Sequence, residues 1–583
     1  MEKKILQFSV TSKDGFDVIL KEKSEEGSIE KYTFELLWNN DDIDDNTEFC
    51  FMWLQRMVGA MYFWSPGTRF KRYIEPGWAQ YNRSMISVQA PVFSYYDDAN
   101  NNVMTIAVDE CKKLTYYKGG VREHTGELRC YFRIPVKQYT NRTSAIFTLR
   151  IDKRHIPLQS ALDDVRGWWE NDCGMKPAYV PTSAKDPLYS FWYSFHRDIN
   201  AKAVEDECAR AKSLGFDICI VDDGWQCSDI HAGYKYCGDW KPAPDKFPDM
   251  KAHVDAVHKM GMKYMLWYSV PFLGCESEAY ERFKDKVLRM SNIEGNIGLF
   301  DPRYKEVRDH LISIFKNAII EWGLDGLKLD FIDQWNNDKA NAPYDPKMDI
   351  PAVSDAVDHF MISLMNELKS IKPDILLEFR QGYTGPNMRK YGNMFRVGDC
   401  PYDHASNRLG VFDLRMLMGE SAVHSDMLMW NKDESPENSA LQIIDVLFGV
   451  LQYSAKLENM TPEMRKMSEF WLGFMKEHKE LLLNSPWRAY DPHQNYTWAE
   501  SHNDNECAVA VYSIDKCVTP ARRDTVYIAN GCMGDRVLAE LYGSYSVTVQ
   551  SCYGEVISKS EIECNGITPI KVSVGGLITL KKA

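Results

Sequence analysis

Short apolar runs separated by polar turns dominate the first part of the chain. The runs at residues 104–108 and 144–149 have the length of β-strands, and residues 98–102, rich in Asp and Asn, have the composition of a hairpin tip. Many short strands joined by polar turns predict a β-sandwich. We therefore predict an N-terminal β-sandwich over residues 1–175, followed by a linker rich in Pro, Ser and Ala at residues 173–187.

The pattern changes at residues 185–483, where strand-like runs alternate with amphipathic helical stretches such as 201–213, 303–322 and 352–371. The candidate strands begin near Leu188, Asp217, Met262, Asp325, Asp374, Asn393, Ala422 and Leu451. Residues 218–221 form a continuous apolar run, as parallel strands buried on both faces do. These repeats predict a (β/α)8 TIM barrel as the catalytic domain. A doubly wound sheet is the alternative, but the sequence lacks its Gly-rich nucleotide-binding turn.

The last part of the chain returns to short strands. Apolar runs recur at residues 508–512, 526–529, 546–549 and 570–574. They predict a small C-terminal antiparallel β-domain over residues 486–583. The predicted fold is therefore multidomain, with a barrel between two β-domains.

Composition narrows the classes of partner. The formal charge of −14 argues against nucleic acid or an anionic membrane surface as a partner. No apolar run reaches the length of a membrane span, and no apolar segment follows the first lysines as in a signal peptide. The 15 cysteines show no zinc-ligand spacing. We expect a cytoplasmic protein, or a periplasmic one if a signal peptide has been removed, in which case Cys227 and Cys237 could form a local disulfide.

Lys328 and Asp330 lie two residues apart at the end of the fourth predicted strand of the barrel. Side chains at i and i+2 of a strand point to the same face, so the two should project together. The C-terminal ends of barrel strands carry the chemistry of this fold. A cationic neighbour favours the charged form of an aspartate, and we expect Lys328 to keep Asp330 ionised as a candidate nucleophile.

The other predicted strand ends are also crowded with polar and aromatic side chains. From the first strand to the seventh they are Trp192 to His196, Asp222 to Gln226, Trp267-Tyr268, Lys328 to Asp330, Glu378 to Gln381, Arg396 to Asp399, and His424 to Asp426 followed by Trp430. Carboxylates and arginines at one face of a barrel can bond sugar hydroxyls, while tryptophans cover the apolar face of the ring. A set of histidines and carboxylates, with His196, His424 and Asp426 as ligands, would instead indicate a metal-dependent aldolase or isomerase.

These motifs resemble those of the α-galactosidases of glycoside hydrolase family 36, which share a clan with families 27 and 31. The resemblance is carried by the runs Leu214-Gly215-Phe216-Asp217, Val221-Asp222-Asp223-Gly224-Trp225-Gln226, Lys328-Leu329-Asp330-Phe331 and Arg396-Val397-Gly398-Asp399. It implies a retaining glycosidase that acts on a carbohydrate without metal or cofactor, and it suggests a homo-oligomer.

The resemblance also implies roles for individual residues. Asp330 corresponds to the nucleophile and Asp399 to the acid/base, with Asp403 as a rival for the acid role. The implied substrate-binding residues are Asp222, Asp223, Trp225, Trp267, Lys328, Arg380, Arg396 and Asp426. An acid must hold its proton when substrate arrives, so we expect a raised pKa at Asp399. Because a contact with Arg396 would oppose this, we expect Arg396 to reach sugar or another carboxylate.

One departure from the family pattern concerns the loop after the fifth strand. Many family members carry Cys-Ser-Ser-Gly-Gly there, near the sugar 2-position, whereas this chain has Glu378 and Arg380 in the run of residues 377–383. A charged Glu378/Arg380 pair could read an N-acetyl group, a pentopyranose or a substituted galactose. The preferred function is hydrolysis of terminal α-galactosides. The alternatives are an α-N-acetylgalactosaminidase, a raffinose-synthase-like galactosyltransferase, an α-glucosidase, and a carbohydrate-binding barrel without catalysis.

Overall fold

A computed structural model describes residues 5–11, 16–39, 47–139, 142–336, 341–380 and 382–583 of the chain. The N-terminal strands are β1 (Ile5–Thr11), β2 (Phe16–Glu26), β3 (Ile29–Trp38), β4 (Glu48–Arg56), β5 (Tyr62–Trp64), β6 (Asn82–Ser84), β7 (Val92–Tyr96), β8 (Asn102–Val108), β9 (Thr115–Val121), β10 (Glu127–Pro135) and β11 (Ser144–Asp152). They form two antiparallel sheets, in the orders β1-β4-β10-β9-β6 and β2-β3-β11-β8-β7-β5. Alternate residues of β3 and β10 are buried, so the two sheets enclose one aromatic core.

The central part of the chain is a parallel barrel. Its strands are β12 (Leu188–Ser190), β13 (Ile218–Val221), β14 (Lys263–Ser269), β18 (Gly326–Asp330), β19 (Leu376–Arg380), β20 (Met394–Arg396), β21 (Ala422–His424) and β22 (Gln452–Tyr453); an antiparallel insertion of β15 (Phe272–Gly274), β16 (Val287–Ser291) and β17 (Ile297–Phe300) follows β14. Neighbours in the barrel are consecutive, and β12 pairs with β22. A parallel bridge between His424 and Val450 closes the ring, which confirms the predicted TIM barrel.

One helix precedes the first barrel strand, and the other helices follow or alternate with the barrel strands. They are α1 (Leu158–Asn171), α2 (Trp192–Phe195), α3 (Ala201–Leu214), α4 (Met250–Lys259), α5 (Glu278–Phe283), α6 (Lys305–Asn317), α7 (Val353–Ile371), α8 (Met388–Tyr391), α9 (His404–Met418), α10 (Pro436–Asp445), α11 (Pro462–Glu477) and α12 (Lys479–Leu483). Local sequence explains their limits. Asn200 caps the start of α3 by accepting from the Ala203 amide, and Gly215 ends it at a φ of 112° that favours glycine. No helix within the described ranges is long and apolar enough to cross a membrane.

The C-terminal strands form one eight-stranded sheet. They are β23 (Trp487–Tyr490), β24 (Trp498–His502), β25 (Glu506–Val511), β26 (Cys517–Val518), β27 (Thr525–Asn530), β28 (Arg536–Gln550), β29 (Val556–Lys571) and β30 (Leu577–Lys582). The sheet is mostly antiparallel, as expected, but β25 pairs with β27 and β26 with β28 in parallel. The parallel pairs arise because β26 joins the far edge of the sheet before the chain returns along β27.

All 15 cysteines lie within the described residues, and none forms a disulfide. Cys227 contacts the carbonyl of Asp229 at 3.5 Å, whereas Cys237 accepts from the hydroxyl of Ser269 at 3.3 Å. The local disulfide considered for an exported protein is therefore absent.

One carboxylate on the barrel joins all three parts of the chain. Asp413, on α9, accepts hydrogen bonds from Trp64 Nε1 at 3.0 Å and from Arg72 Nη2 at 2.7 Å, both in the N-terminal sandwich. It also accepts from the hydroxyl of Tyr496, in the C-terminal domain, at 2.7 Å. The Arg72 side chain is 3% exposed, so its charge depends on Asp413 for compensation.

We predict that Arg72→Met will lower the free energy of unfolding by about 3 kcal/mol, because it leaves the Asp413 charge buried without its cation. The double variant R72M/D413N should recover much of this loss, since it removes both charges and keeps an amide oxygen that can accept from Trp64 and Tyr496. Thermal unfolding of the two variants, beside K202M as a control at the exposed Lys202–Asp206 pair, measures the difference. A double variant less stable than R72M would contradict the assignment.

Candidate active site

The C-terminal strand ends bring the predicted site residues to one mouth of the barrel. Trp267, Lys328, Asp330, Arg380 and Arg396 lie on β14, β18, β19 and β20. Asp222 and Asp223 follow β13, while Asp399 and Asp426 follow β20 and β21. Most of these side chains are buried, but that of Asp399 is 42% exposed, so it is the member of the set that most directly faces solvent.

Asp330 is held by three donors. Trp267 Nε1 donates to Oδ2 at 2.9 Å, the Phe331 amide donates to Oδ1 at 2.7 Å, and Arg380 Nε donates to Oδ1 at 2.5 Å. Phe331 itself takes a φ of 62°, which is rare for a bulky side chain. Donors on both oxygens fix the orientation of the carboxylate.

Lys328 does not accompany Asp330, contrary to the expectation from their spacing. It donates instead to Asp222 Oδ2, which follows β13 on the other side of β14. The two side chains share a face of β18, but Lys328 lies two residues deeper, at the level of Trp267 on β14 and Glu378 on β19. Arg380 therefore provides the cation at Asp330, and Lys328 provides the one at Asp222.

Asp223 has a cation of its own that the sequence analysis did not identify. Arg197 Nε donates to its Oδ2 at 2.5 Å, and Gln226 Nε2 donates to its Oδ1 at 2.7 Å. Burial nevertheless raises the pKa of Asp223 above its ordinary value, against the effect of Arg197 and Gln226. Arg197 follows the short helix α2 and belongs to no motif, so no sequence signal marked it.

Asp399 lies against Arg396, which corrects a second expectation. Arg396 Nη2 donates to Asp399 Oδ1 at 2.7 Å, and its Nη1 donates to Asp426 Oδ1. Burial disfavours ionisation of Asp399, but Arg396 and then Arg380 outweigh burial and lower the pKa of Asp399 to about 2. In the free protein Asp399 is therefore a carboxylate at neutral pH, and the expected raised pKa is wrong. The cause is that Arg396 and Asp399, three residues apart, fold back on each other after β20.

Asp426 and its neighbours complete this side of the mouth. The hydroxyl of Tyr193 donates to Asp426 Oδ2 at 3.0 Å, and the amide of Cys400 donates to the same oxygen at 2.7 Å. Burial raises the pKa of Asp426, with Arg396 acting in the opposite direction. Tyr193 was part of the run after the first strand, but nothing in its spacing distinguished it from Trp192 or Ser194.

The two tryptophans expected to line the pocket lie in different environments. Trp267 faces the barrel interior and contacts Asp330. Trp225 is fully buried, packs against Trp240 and Tyr268, and donates to the carbonyl of Trp267 at 3.0 Å. Trp225 therefore supports β14 as a core residue and does not reach the mouth.

Glu378 and Arg380 do not form the pair considered for the fifth strand. Glu378 is fully buried below the mouth, where Gln452 Nε2 donates to its Oε2 at 2.5 Å and Arg396 Nε lies 3.9 Å from its Oε1. Burial raises the pKa of Glu378, although Lys328 and Arg396 favour its ionised form. The neighbouring residue Gln381 lies outside the described residues.

The remaining candidates have structural roles. Asp403 caps α9, since its side chain accepts from the Ser406 amide at 3.0 Å. His424 Nε2 contacts the carbonyl of Ala184 at 2.8 Å, and burial lowers the pKa of His424 to about 4. His196 packs on the Trp192 ring. Among the described residues no group of three His, Cys, Asp or Glu side chains is placed to hold a metal ion, so the ligand set considered for a metal enzyme does not converge.

Comparison with known proteins places the barrel in a family. The family description called Melibiase matches residues 182–484, more than half of the chain. The chain belongs to the melibiase family. The match covers all eight strands of the barrel and both aspartates, Asp330 and Asp399.

Relatives of this melibiase-family chain are distant. α-Galactosidase Mel36A of Lactobacillus acidophilus is 27% identical over 256 residues, which cover 42% of this chain and 33% of the relative. The bifunctional α-galactosidase/sucrose kinase AgaSK of Mediterraneibacter gnavus is 23% identical over 376 residues, 60% of this chain and 38% of the relative. The matched part thus spans 33% of the first curated relative and 38% of the second.

Solved structures share the fold over nearly the whole chain. The GH36 α-galactosidase AgaB of Geobacillus stearothermophilus has a TM-score of 0.67 at 14% identity, covering 98% of this chain and 81% of that one. A variant of AgaA from the same organism, in complex with stachyose, has a TM-score of 0.65 at 13% identity, covering 99% of this chain and 88% of that one. The sandwich, barrel and C-terminal sheet therefore recur together in these enzymes.

We predict that Arg380→Gln will raise the pKa of Asp399 by roughly one unit, because a nearby opposite charge lowers an aspartate pKa by about 1–3 units. Carbon-13 NMR titration of the Asp399 carboxyl, identified by the signal lost in D399N, measures the shift. The pKa of Asp399 is lower in the folded protein than in the unfolded chain, where it is about 4. The ion pairs of Asp399 with Arg396 and Arg380 therefore stabilise the fold fully above about pH 4, and this contribution is lost as the pH falls through about 2. A wild-type carboxyl that titrates near 4 would contradict the assignment; R166Q, at a distant arginine on α1, is the control.

Proposed function

We propose that the protein is a retaining glycoside hydrolase that releases terminal α-linked galactose from oligosaccharides or polysaccharides. Membership of the melibiase family and the α-galactosidase names of its relatives support this proposal. The observation that carries it is the shared contact of Asp330 and Asp399 with one guanidinium. Arg380 Nε lies 2.5 Å from Asp330, and Arg380 Nη1 lies 3.9 Å from Asp399. Two carboxylates that meet at one side chain are compatible with the ~5–5.5 Å separation of retaining glycosidases.

In the proposed reaction Asp330 is the nucleophile. Its carboxylate oxygen forms a bond to the anomeric carbon while the bond to the glycosidic oxygen breaks, and Asp399 gives its proton to that oxygen. A water molecule then attacks the anomeric carbon, Asp399 takes the proton of the water, and Asp330 leaves as a carboxylate. The Trp267 indole and the Phe331 amide suit both ends of this cycle, since they orient the attacking oxygen and stabilise the leaving charge.

Asp399 has to gain a proton before the first step, because the charges around it in the free protein keep it ionised. With a pKa of about 2 this group carries no proton at neutral pH. A sugar that enters the mouth has to displace the Arg380 guanidinium from the space between the two aspartates. Arg396 lowers this pKa more than Arg380 does, so the sugar has to weaken the contact with Arg396 as well. Losing both contacts and the surrounding water raises the pKa of Asp399 towards a value at which it holds a proton. In this proposal substrate binding therefore causes Asp399 to become protonated.

The remaining polar residues of the mouth recognise the sugar in this proposal. Asp222, paired with Lys328, and Asp223, paired with Arg197, present carboxylate oxygens to hydroxyl groups. Arg396 and Asp426 lie on the opposite side, and the buried Trp267 indole holds Asp330 from below. A site that bonds a hydroxyl rejects an analogue that leaves its buried polar groups unpaired, so this arrangement supports discrimination between sugars that differ at one hydroxyl.

A panel of p-nitrophenyl glycosides tests the activity. We expect wild-type protein to hydrolyse the α-galactoside faster than the α-glucoside, the α-N-acetylgalactosaminide and the β-galactoside. Asp330→Asn should lower kcat by about 10⁴-fold or more, because a neutral amide cannot form the glycosyl ester. Azide added to D330N should yield only product of inverted configuration.

The control for this test is Asp403→Asn, which changes a helix cap outside the mouth and should keep its activity. If another glycoside is hydrolysed faster, its sugar and not galactose is the substrate of the site. A D330N variant with wild-type kcat would remove Asp330 from the mechanism, and a protein inactive on every glycoside would favour a binding barrel.

Asp399→Ala should separate substrates by their leaving groups. We expect kcat/KM to fall far more for an α-galactosyl disaccharide than for the p-nitrophenyl α-galactoside, since only the sugar leaving group needs protonation. General acid catalysis contributes typically 10²–10⁴-fold, so a loss of about 10³-fold on the disaccharide is expected. Steady-state kinetics on both substrates check this. Equal losses would assign the acid role to another group.

A further inference from the structure

A second pocket, of about 250 Å³, lies beside the barrel mouth, between the segments that follow β12, β21 and β22. Tyr193 forms part of its wall, and the hydroxyl of the same residue donates to Asp426 inside the mouth. Asp426 is in turn joined to Asp399 through Arg396. We call this the Trp430 pocket, after the indole that lines it. It lies on the acid/base side of the site, where a leaving group departs.

The lining of the Trp430 pocket is aromatic, apolar and cationic. Trp430 is held edge-to-face by Tyr453, with ring centroids 4.6 Å apart, and it is only partly buried. Lys432 and Lys456 are exposed at its rim, and no aspartate or glutamate lines it. Lys456 is oriented by the Phe195 ring, whose centroid is 4.8 Å from Nζ. Within the described ranges neither lysine forms an ion pair with a carboxylate.

These features specify a kind of ligand. A partly exposed indole beside polar groups suits the flat apolar face of a sugar ring. Ammonium groups that form no ion pair with a carboxylate are suited to bond an oxyanion. Lys432 and Lys456 contact none of the residues of the barrel mouth, so the proposed catalytic reaction gives them no role.

We propose that the Trp430 pocket binds the leaving-group sugar and selects one that carries an anionic substituent, a carboxylate or a sulfate ester. The inference rests on the proposed function, because it assigns the leaving group to a neighbouring site. In this arrangement Trp430 stacks on the sugar ring, while Lys432 and Lys456 bond the oxyanion at the rim. The α-galactosyl unit remains in the barrel mouth, and Tyr193 separates the two sugars.

Kinetics on matched disaccharides test the proposal. Three substrates share one α-galactosyl linkage and differ only in the reducing sugar, which is glucose, glucuronate or a glucose sulfate. We expect kcat/KM to be about tenfold higher for the two anionic substrates than for the neutral one, as two partly exposed ion pairs would give. The ratio should fall towards one in K432M/K456M and in 0.5 M salt, where such pairs are screened. K202M, which changes an exposed lysine on α3, should keep the ratio.

Calorimetry with the D330N variant separates this proposal from the proposed activity. D330N should bind the anionic disaccharides more tightly than the neutral one, whether or not the wild-type protein turns them over. Preference for the carboxylate or for the sulfate identifies the oxyanion. Equal binding and equal kcat/KM for neutral and anionic substrates would overturn the inference while leaving hydrolysis of the p-nitrophenyl α-galactoside untouched. If the wild-type protein hydrolyses no glycoside, the proposed function fails separately.

Discussion

Two arginines stand side by side in the barrel wall, and the mouth is organised around their charges. Arg380 on β19 is the register partner of Arg396 on β20, so the two cations meet with little water to screen them. Such an arrangement is stable only when carboxylates lie on both sides. Asp330 and Asp399 meet this need for the first arginine, and Asp399 and Asp426 for the second. The acids proposed for catalysis are thus also the counterions that stabilise the two buried arginines at the ends of β19 and β20.

The two roles of these acids conflict, and the conflict lies mainly at Asp399. As a counterion it must be ionised, which its pKa of about 2 ensures. As a general acid it must hold a proton. Asp330 meets no such conflict, because both roles need its ionised form. In the free site the nucleophile is in the form that the reaction needs, but Asp399 lacks the proton that an acid must donate. The ligand therefore has to displace an arginine before Asp399 can take up this proton.

Much of this architecture could be predicted from the sequence, because it depends on local patterns. The barrel strands begin within two residues of the expected positions, since buried parallel strands are continuous apolar runs with sharp ends. The side-chain partners could not be predicted in this way. Lys328 reaches Asp222 and not Asp330, and Arg396 turns to Asp399, because depth in the barrel and loop geometry decide which charges meet. Arg197, which holds Asp223, gave no signal because its position depends on a loop without a motif.

Asp413 has a consequence for how such a chain can be recombined. It lies on α9, the helix that begins directly after the loop carrying Asp399, and it bonds side chains from both β-domains. A chimaera that exchanges either flanking domain with that of a distant relative must therefore also import a partner for this carboxylate. Viable crossover points lie where the exchanged segment carries Arg72 or Tyr496 together with α9. The three domains have to be exchanged as one unit, because the core of the barrel also includes side chains from both flanking domains, such as Trp64 and Ala508.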